Sequence, residues 1–251
     1  MKAVLASIFA AVLLAGVARA QEQQSCDVPD SLLSSDYTLG KVSAAVRDKR
    51  RLDVTVIGSG SSALAGRNGA AISYPARLEQ ALRQRLPGIE VKVTSRAKSR
   101  QTAVDMAQAF EKILLDDKPT LVIWQTGTVD AIRGVPPEEF LPTLEIGLKT
   151  LRTGGADVVL MNSQYSPRTE SMIAIDVYLD NMSWVSQERG VPLFDRFAIM
   201  RYWSETGTFD FYGATRDITL AKRVHDCIGR ALAALIVDAA QLQSIVKGAG
   251  Q

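Results

Sequence analysis

Leu52-Asp53-Val54-Thr55-Val56-Ile57-Gly58-Ser59-Gly60-Ser61-Ser62 is the stretch whose reading decides the fold. An apolar run of strand length stops at a cluster of glycine and serine, as a buried strand does when it enters a loop. A second such passage, Leu121 to Gln125 followed by Thr126-Gly127-Thr128-Val129-Asp130, repeats the pattern further along the chain. Between them Tyr74-Pro75 opens a helical stretch with apolar residues at Leu78, Ala81, Leu82 and Leu86. Pro87-Gly88 closes it before a strand at Ile89 to Thr94.

The alternation continues outward. Helix Thr102 to Leu115 precedes the strand at Leu121, and helix Pro137 to Leu151 precedes a strand at Asp157 to Asn162. Helix Glu170 to Arg189 then leads to a short strand at Val191 to Phe194 and a final helix from about Ile218 to Val246. Gly154-Gly155 and Gly190 suit the helix exits. Strands separated by helix-length segments imply a parallel five-stranded sheet covered on both faces, a three-layer α/β/α sandwich. In such a sheet ligands bind at the carboxyl ends of the strands. The loops of interest are therefore 58–68, 95–101, 127–135 and 162–168, together with the segment before the last helix.

The quoted stretches, with Gln101-Thr102-Ala103 and Gln164-Tyr165-Ser166-Pro167-Arg168, resemble the SGNH (GDSL-type) hydrolases, in an exported proteobacterial branch whose first block reads Gly-Ser-Ser. The resemblance covers nearly all of the chain after its first twenty residues and implies an SGNH/flavodoxin-like fold. It also implies an acyl-transfer site of four groups: a Ser nucleophile at the first turn, a block II Gly amide and a block III Asn as oxyanion donors, and a His base three residues after an Asp. At those four places this chain has Gly60, Arg100, Val129 and, counting from Asp217, Leu220. Loss of one oxyanion donor alone costs about 10²- to 10³-fold in rate.

Substitutes exist nearby. A one-residue shift of the loop presents Ser61, with Ser59 as a further hydroxyl, and His225 is the single histidine, five residues beyond Leu220 in the final helix. Ser61, Asp217 and His225 thus form the fallback set for an active esterase or deacetylase. The competing reading is a protein that has lost hydrolysis and binds a ligand. Ser95-Arg96-Ala97-Lys98-Ser99-Arg100 puts three positive charges at the block II loop, which suit a carboxylate, phosphate or sulfate, or form a solvated surface loop. Ser59, Ser61, Arg96, Lys98, Arg100, Asp130 and Gln164 are the candidate ligand contacts. Asp130 is equally suited to bonding loop amides or pairing with Arg100 or Arg133. The occupant expected is an anionic small molecule, a glycan or an envelope protein. Dense aromatics from Phe194 to Tyr212 offer either a partner surface or core packing.

Residues 1–20 combine Lys2, an apolar run from Ala3 to Val17 and Ala18-Arg19-Ala20, the pattern of a cleaved signal peptide with Gln21 as the mature start. The run is short for a bilayer span of roughly 20 residues, so no stable transmembrane segment is expected after cleavage. The remaining chain reads as a leader and helix, 21–51, followed by one domain, 52–251. A periplasmic or secreted location follows. Cleavage removes Lys2 and Arg19 and no acidic residue, so the 29 basic residues fall to equal the 27 acidic ones. A neutral chain carries no global field to gather nucleic acid. Cys26 and Cys227 are free to pair in an oxidising compartment, two buried thiols being the alternative. One histidine and no Cys-x-x-Cys give no metal site, and Gly58-x-Gly60 lacks the third glycine of a dinucleotide loop, so no cofactor is expected.

Overall fold

The structure, a computed structural model, describes residues 26–64, 66–213 and 218–247. The segment 1–20 and Asp217 lie outside these residues. Five strands, β1 (Arg51–Ile57), β2 (Glu90–Ser95), β3 (Leu121–Gln125), β4 (Asp157–Met161) and β5 (Leu193–Phe194), form one parallel sheet in the order β2-β1-β3-β4-β5. In chain order the helices are α1 (Gly40–Lys49), α2 (Gly69–Ile72), α3 (Tyr74–Arg85), α4 (Ala103–Ala107), α5 (Phe110–Asp117), α6 (Thr128–Arg133) and α7 (Pro137–Thr153). They continue as α8 (Pro167–Met172), α9 (Asp176–Arg189), α10 (Arg196–Glu205), α11 (Ile218–Ala239) and α12 (Gln243–Lys247).

Both faces of the sheet are covered, which is why β3 is buried along its whole length and reads as a continuous apolar run rather than an alternating one. Successive side chains still point to opposite faces. Trp124 meets Phe110 of α5 edge-on, with ring centroids 4.9 Å apart, and presses on α7 where Gly147 leaves room for it. Gln125 points the other way, toward α3. On that side α3 and α11 pack with almost no gap, since a Cβ on Gly229 would lie 2.6 Å from Arg77 Cβ and 2.8 Å from the Leu78 amide nitrogen.

A disulfide between Cys26 and Cys227 ties the start of the described chain to α11. The start of α1 is capped from a distance: Asp157, at the foot of β4, accepts the Lys41 and Val42 amides at 2.8 and 3.0 Å. No helix among the described residues is long and apolar enough to cross a membrane.

Local detail departs from the sequence pattern in five places, one being the final helix, which ends at Ala239 and restarts at Gln243 after Gln241 takes a left-handed conformation. The expected helix from Thr102 is two helices, interrupted at Gln108-Ala109, and that from Glu170 begins earlier as α8 and restarts as α9. The fifth strand shrinks to two residues at the sheet edge, where Pro192 has no amide to donate and contributes only its carbonyl to Leu160. The aromatic segment after it contains α10, a helix opened by the Asp195 side chain accepting the Ala198 amide. Phe197, Trp203 and Phe209 there are core residues, while Tyr212 is exposed.

Candidate functional site

The turn after β1 is held from below by one amide. Gln125 Oε1 accepts the Ser59 backbone N–H at 3.1 Å and faces the hydroxyls of Ser61 at 3.2 Å and Ser62 at 2.7 Å. Ser62 Oγ is in turn 2.9 Å from the Tyr74 hydroxyl at the start of α3. Gly58 is required for this closeness, because a Cβ there would lie 2.2 Å from Ser62 Oγ. Gly60 is not under the same constraint. Its nearest neighbour to an added Cβ is Ser99 Oγ at 3.3 Å, and its φ is not in the left-handed region. A side chain at residue 60 would need only the Ser99 hydroxyl to give by a few tenths of an ångström, a far smaller obstacle than the one at Gly58.

Gln125→Leu is expected to cost about 2–3 kcal/mol, because it leaves the buried Ser59 amide and the serine hydroxyls without their shared acceptor. Urea denaturation of the variant beside the parent protein measures this. An unchanged midpoint would mean the hub contributes nothing to stability.

The second and third loops are stapled by Asp130. Its Oδ1 accepts the Ala103 amide at 2.8 Å, and its Oδ2 accepts the Gly127 amide and the Thr126 hydroxyl, each at 3.2 Å. Burial pushes this carboxyl up, and the amide bonds pull against that shift. Asp130 bonds loop amides and neither Arg100 nor Arg133; Arg133 instead lies 3.6 Å from Asp105. Arg100 has φ +65°, a conformation glycine takes without strain and the position where the resemblance has glycine.

The three basic residues of the block II loop do not converge. Arg96 is turned onto Asp117, with Nε 2.9 Å from Oδ2, and Thr55 Oγ1 supports the same carboxylate at 3.1 Å. Asp117 is thereby held below the usual carboxylate range. Lys98 is exposed and its amide bonds the Gly58 carbonyl at 2.9 Å. Arg100 lines a cavity of about 580 Å³ that it shares with Ser59, Gly60, Ser61, Val129 and Gln164.

A larger cleft of about 1060 Å³ opens on the other side of Ser61. Gly60, Ser61 and Gln164 line both cavities, while Leu220 and His225 line only the larger. Ser61 and His225 thus face one space, but no hydrogen bond links them. Instead His225 Nδ1 accepts the Tyr74 backbone N–H at 2.8 Å, capping the first turn of α3 from α11. Burial, with help from the nearby Arg196 charge, lowers the imidazole from 6.5 to about 3.

Arg196, at the first position of α10, is the residue that sequence reasoning missed. It is 1% exposed and its Nη1 bonds Ser61 Oγ at 3.3 Å. Its Nη2 bonds the Ser61 carbonyl and Gln164 Oε1, both at 3.3 Å, and its guanidinium lies 5.7 Å from the Tyr74 ring centre. The available signal was an adjacent Asp195-Arg196 pair set between apolar residues in Leu193-Phe194-Asp195-Arg196-Phe197.

Residues 25–242 match the Non-GDSL lipase-like family. The chain belongs to that family. The solved structures place this member among the SGNH-type hydrolases in fold. An acetylxylan esterase from Geobacillus stearothermophilus, in a catalytic-mutant form, aligns with TM-score 0.61 and 18% identity over 74% of this chain and 94% of its own. An α/β hydrolase enzyme from the metagenome of Lake Arreo, Spain, gives 0.59 and 21% over 76% and 96%. The lipase/acylhydrolase from Enterococcus faecalis gives 0.55 and 19% over 71% and 97%. No curated protein matches the sequence. At the places where the resemblance expects a nucleophile, two oxyanion donors and a base, this Non-GDSL lipase-like chain carries Gly60, Arg100, Val129 and Leu220.

Proposed function

We propose that this Non-GDSL lipase-like protein is exported, has lost ester hydrolysis and holds an anionic ligand in the cleft above the carboxyl ends of the strands. The observation that carries the reading is the state of the only imidazole. Acyl transfer at neutral pH needs a base that is free to take a proton from a hydroxyl. His225 has one nitrogen occupied by a helix amide and a pKa of about 3, so its basicity is roughly a thousandfold below that of an ordinary histidine. Gly60 offers no nucleophile, and Val129 offers no side-chain donor to an oxyanion. Export, with Gln21 as the mature start, is supported by the Cys26–Cys227 bridge, since disulfides persist in oxidising compartments.

The second reading, an esterase rewired to Ser61 and His225, is favoured by one fact: both residues line the same cleft. Against it, the Ser61 hydroxyl faces Gln125 Oε1 and Arg196 rather than the imidazole.

Hydrolysis of a short-chain aryl ester by residues 21–251, beside Ser61→Ala and His225→Ala, separates the two. The expected result is no turnover above the variants. Turnover that each substitution abolishes would make the protein a serine hydrolase.

A further inference from the structure

A buried guanidinium normally has a carboxylate against it, because an unpaired ion in a protein interior costs several kcal/mol in lost hydration. Arg196 is buried and forms no ion pair among the described residues. Its three hydrogen bonds all go to neutral oxygens and all are 3.3 Å long, while Nε has no partner. Asp195, its neighbour in sequence, is engaged elsewhere: Oδ1 accepts the Ala198 amide at 2.9 Å and the Asn162 side-chain amide at 2.8 Å. Desolvation lowers Arg196 to about 10, so it remains charged at neutral pH.

This charge, without an ion pair among the described residues, lies in the lining of the larger cleft, where Leu64, Tyr165, Met200, Phe211 and Val224 are apolar or aromatic and Ser166, Arg168 and Ser171 are polar or charged. Arg168, the other cation of this lining, is exposed, whereas Arg196 is buried, and the planar fork of Arg196 matches the two oxygens of a carboxylate. Apolar walls suit an apolar body attached to it. We propose that Arg196 is the anchor for an organic monocarboxylate, whose carboxylate displaces the Gln164 amide from Nη2 and whose apolar body lies along Tyr165, Met200 and Phe211. Gln164 is half-buried, lines the cleft and holds Nη2 only at long range, so it is the acceptor most readily replaced. A charge-assisted bond is about twice as strong as the neutral one it replaces.

The proposal deepens the ligand-binding reading, but its test does not involve ester turnover, so either can fail alone. Calorimetric titration of the mature protein with phenylbutyrate and with its uncharged amide compares two ligands of one shape. The carboxylate is expected to bind at least about tenfold more tightly, the equivalent of one charged hydrogen bond. Arg196→Gln is expected to remove that preference, and Gln164→Ala, which deletes only the placeholder, to keep it. Equal affinity for acid and amide in the parent protein would overturn the proposal, and needs no variant to fold. So would an undiminished preference in Arg196→Gln. Asp217→Asn tests whether this chain supplies its own counter-charge: retained preference supports the ligand site, and a preference that appears only in that variant overturns it.

Discussion

Reduction of the Cys26–Cys227 bridge is expected to destabilise the protein by about 5 kcal/mol, the largest effect foreseen for any single bond in the chain. The bridge spans 201 residues, and the chain-entropy account of cross-links gives about that value for a loop of this length. The cross-link acts chiefly on the unfolded state, by denying its two ends independent motion. In the folded protein it holds the N-terminal segment to α11, where the Trp203 indole also reaches back to the Asp27 carbonyl at 3.3 Å. Thermal denaturation with and without reductant, beside Cys26→Ser/Cys227→Ser, measures the loss. Reductant should lower the melting temperature of the parent protein to that of the double variant and leave the variant unchanged. A parent protein indifferent to reductant would show that the bridge does not constrain the unfolded chain.

The second large effect is acid sensitivity set by His225. Its unfolded value is 6.5 and its folded value about 3, so between those limits the unfolded chain binds one more proton than the native one. Stability is therefore complete above about pH 6.5 and falls as pH drops, by about 1.4 kcal/mol per unit. Over the whole window the loss is on the order of 3–5 kcal/mol. Two other charged sets act at the acid end. Asp130 and Asp157, raised by burial, take up protons in the native state and oppose the fall. Asp105 and Asp117, held low by their hydrogen bonds, add to it as pH drops through the carboxylate range. Urea denaturation at pH 7, 6 and 5 isolates the imidazole from these carboxylates. The parent protein should lose about 2 kcal/mol between pH 7 and 5, and His225→Gln, which keeps a neutral acceptor, should lose much less. Equal slopes in the two proteins would mean that His225 is not held neutral in the fold.

That histidine also marks how far local pattern reaches. The alternation of apolar runs with helix-length segments is enough to name the sheet, because a strand covered on both faces must be apolar throughout and a parallel neighbour must be reached by a crossover. Gly58 was legible as the end of β1 for the same kind of local reason. The boundaries were less so: β5 keeps two residues because it is an edge strand preceded by proline, and α10 went unseen because its buried aromatics look the same whether they cover a core or a partner.

By itself the sequence determined the family, the sheet and the absence of a hydroxyl at residue 60, all properties of neighbours along the chain. Only the tertiary structure decided what the charged and titratable groups do. Arg96 could have entered the cleft until Asp117, 21 residues away, was seen to hold it. His225 became a helix cap only when the Tyr74 amide, 151 residues away, was brought to its Nδ1, and Arg196 was set against Ser61, 135 residues away, with no ion pair among the described residues. Hydrogen bonds and ion pairs are short-ranged and directional, so partners far apart in the chain are chosen by packing, which no local stretch of residues records.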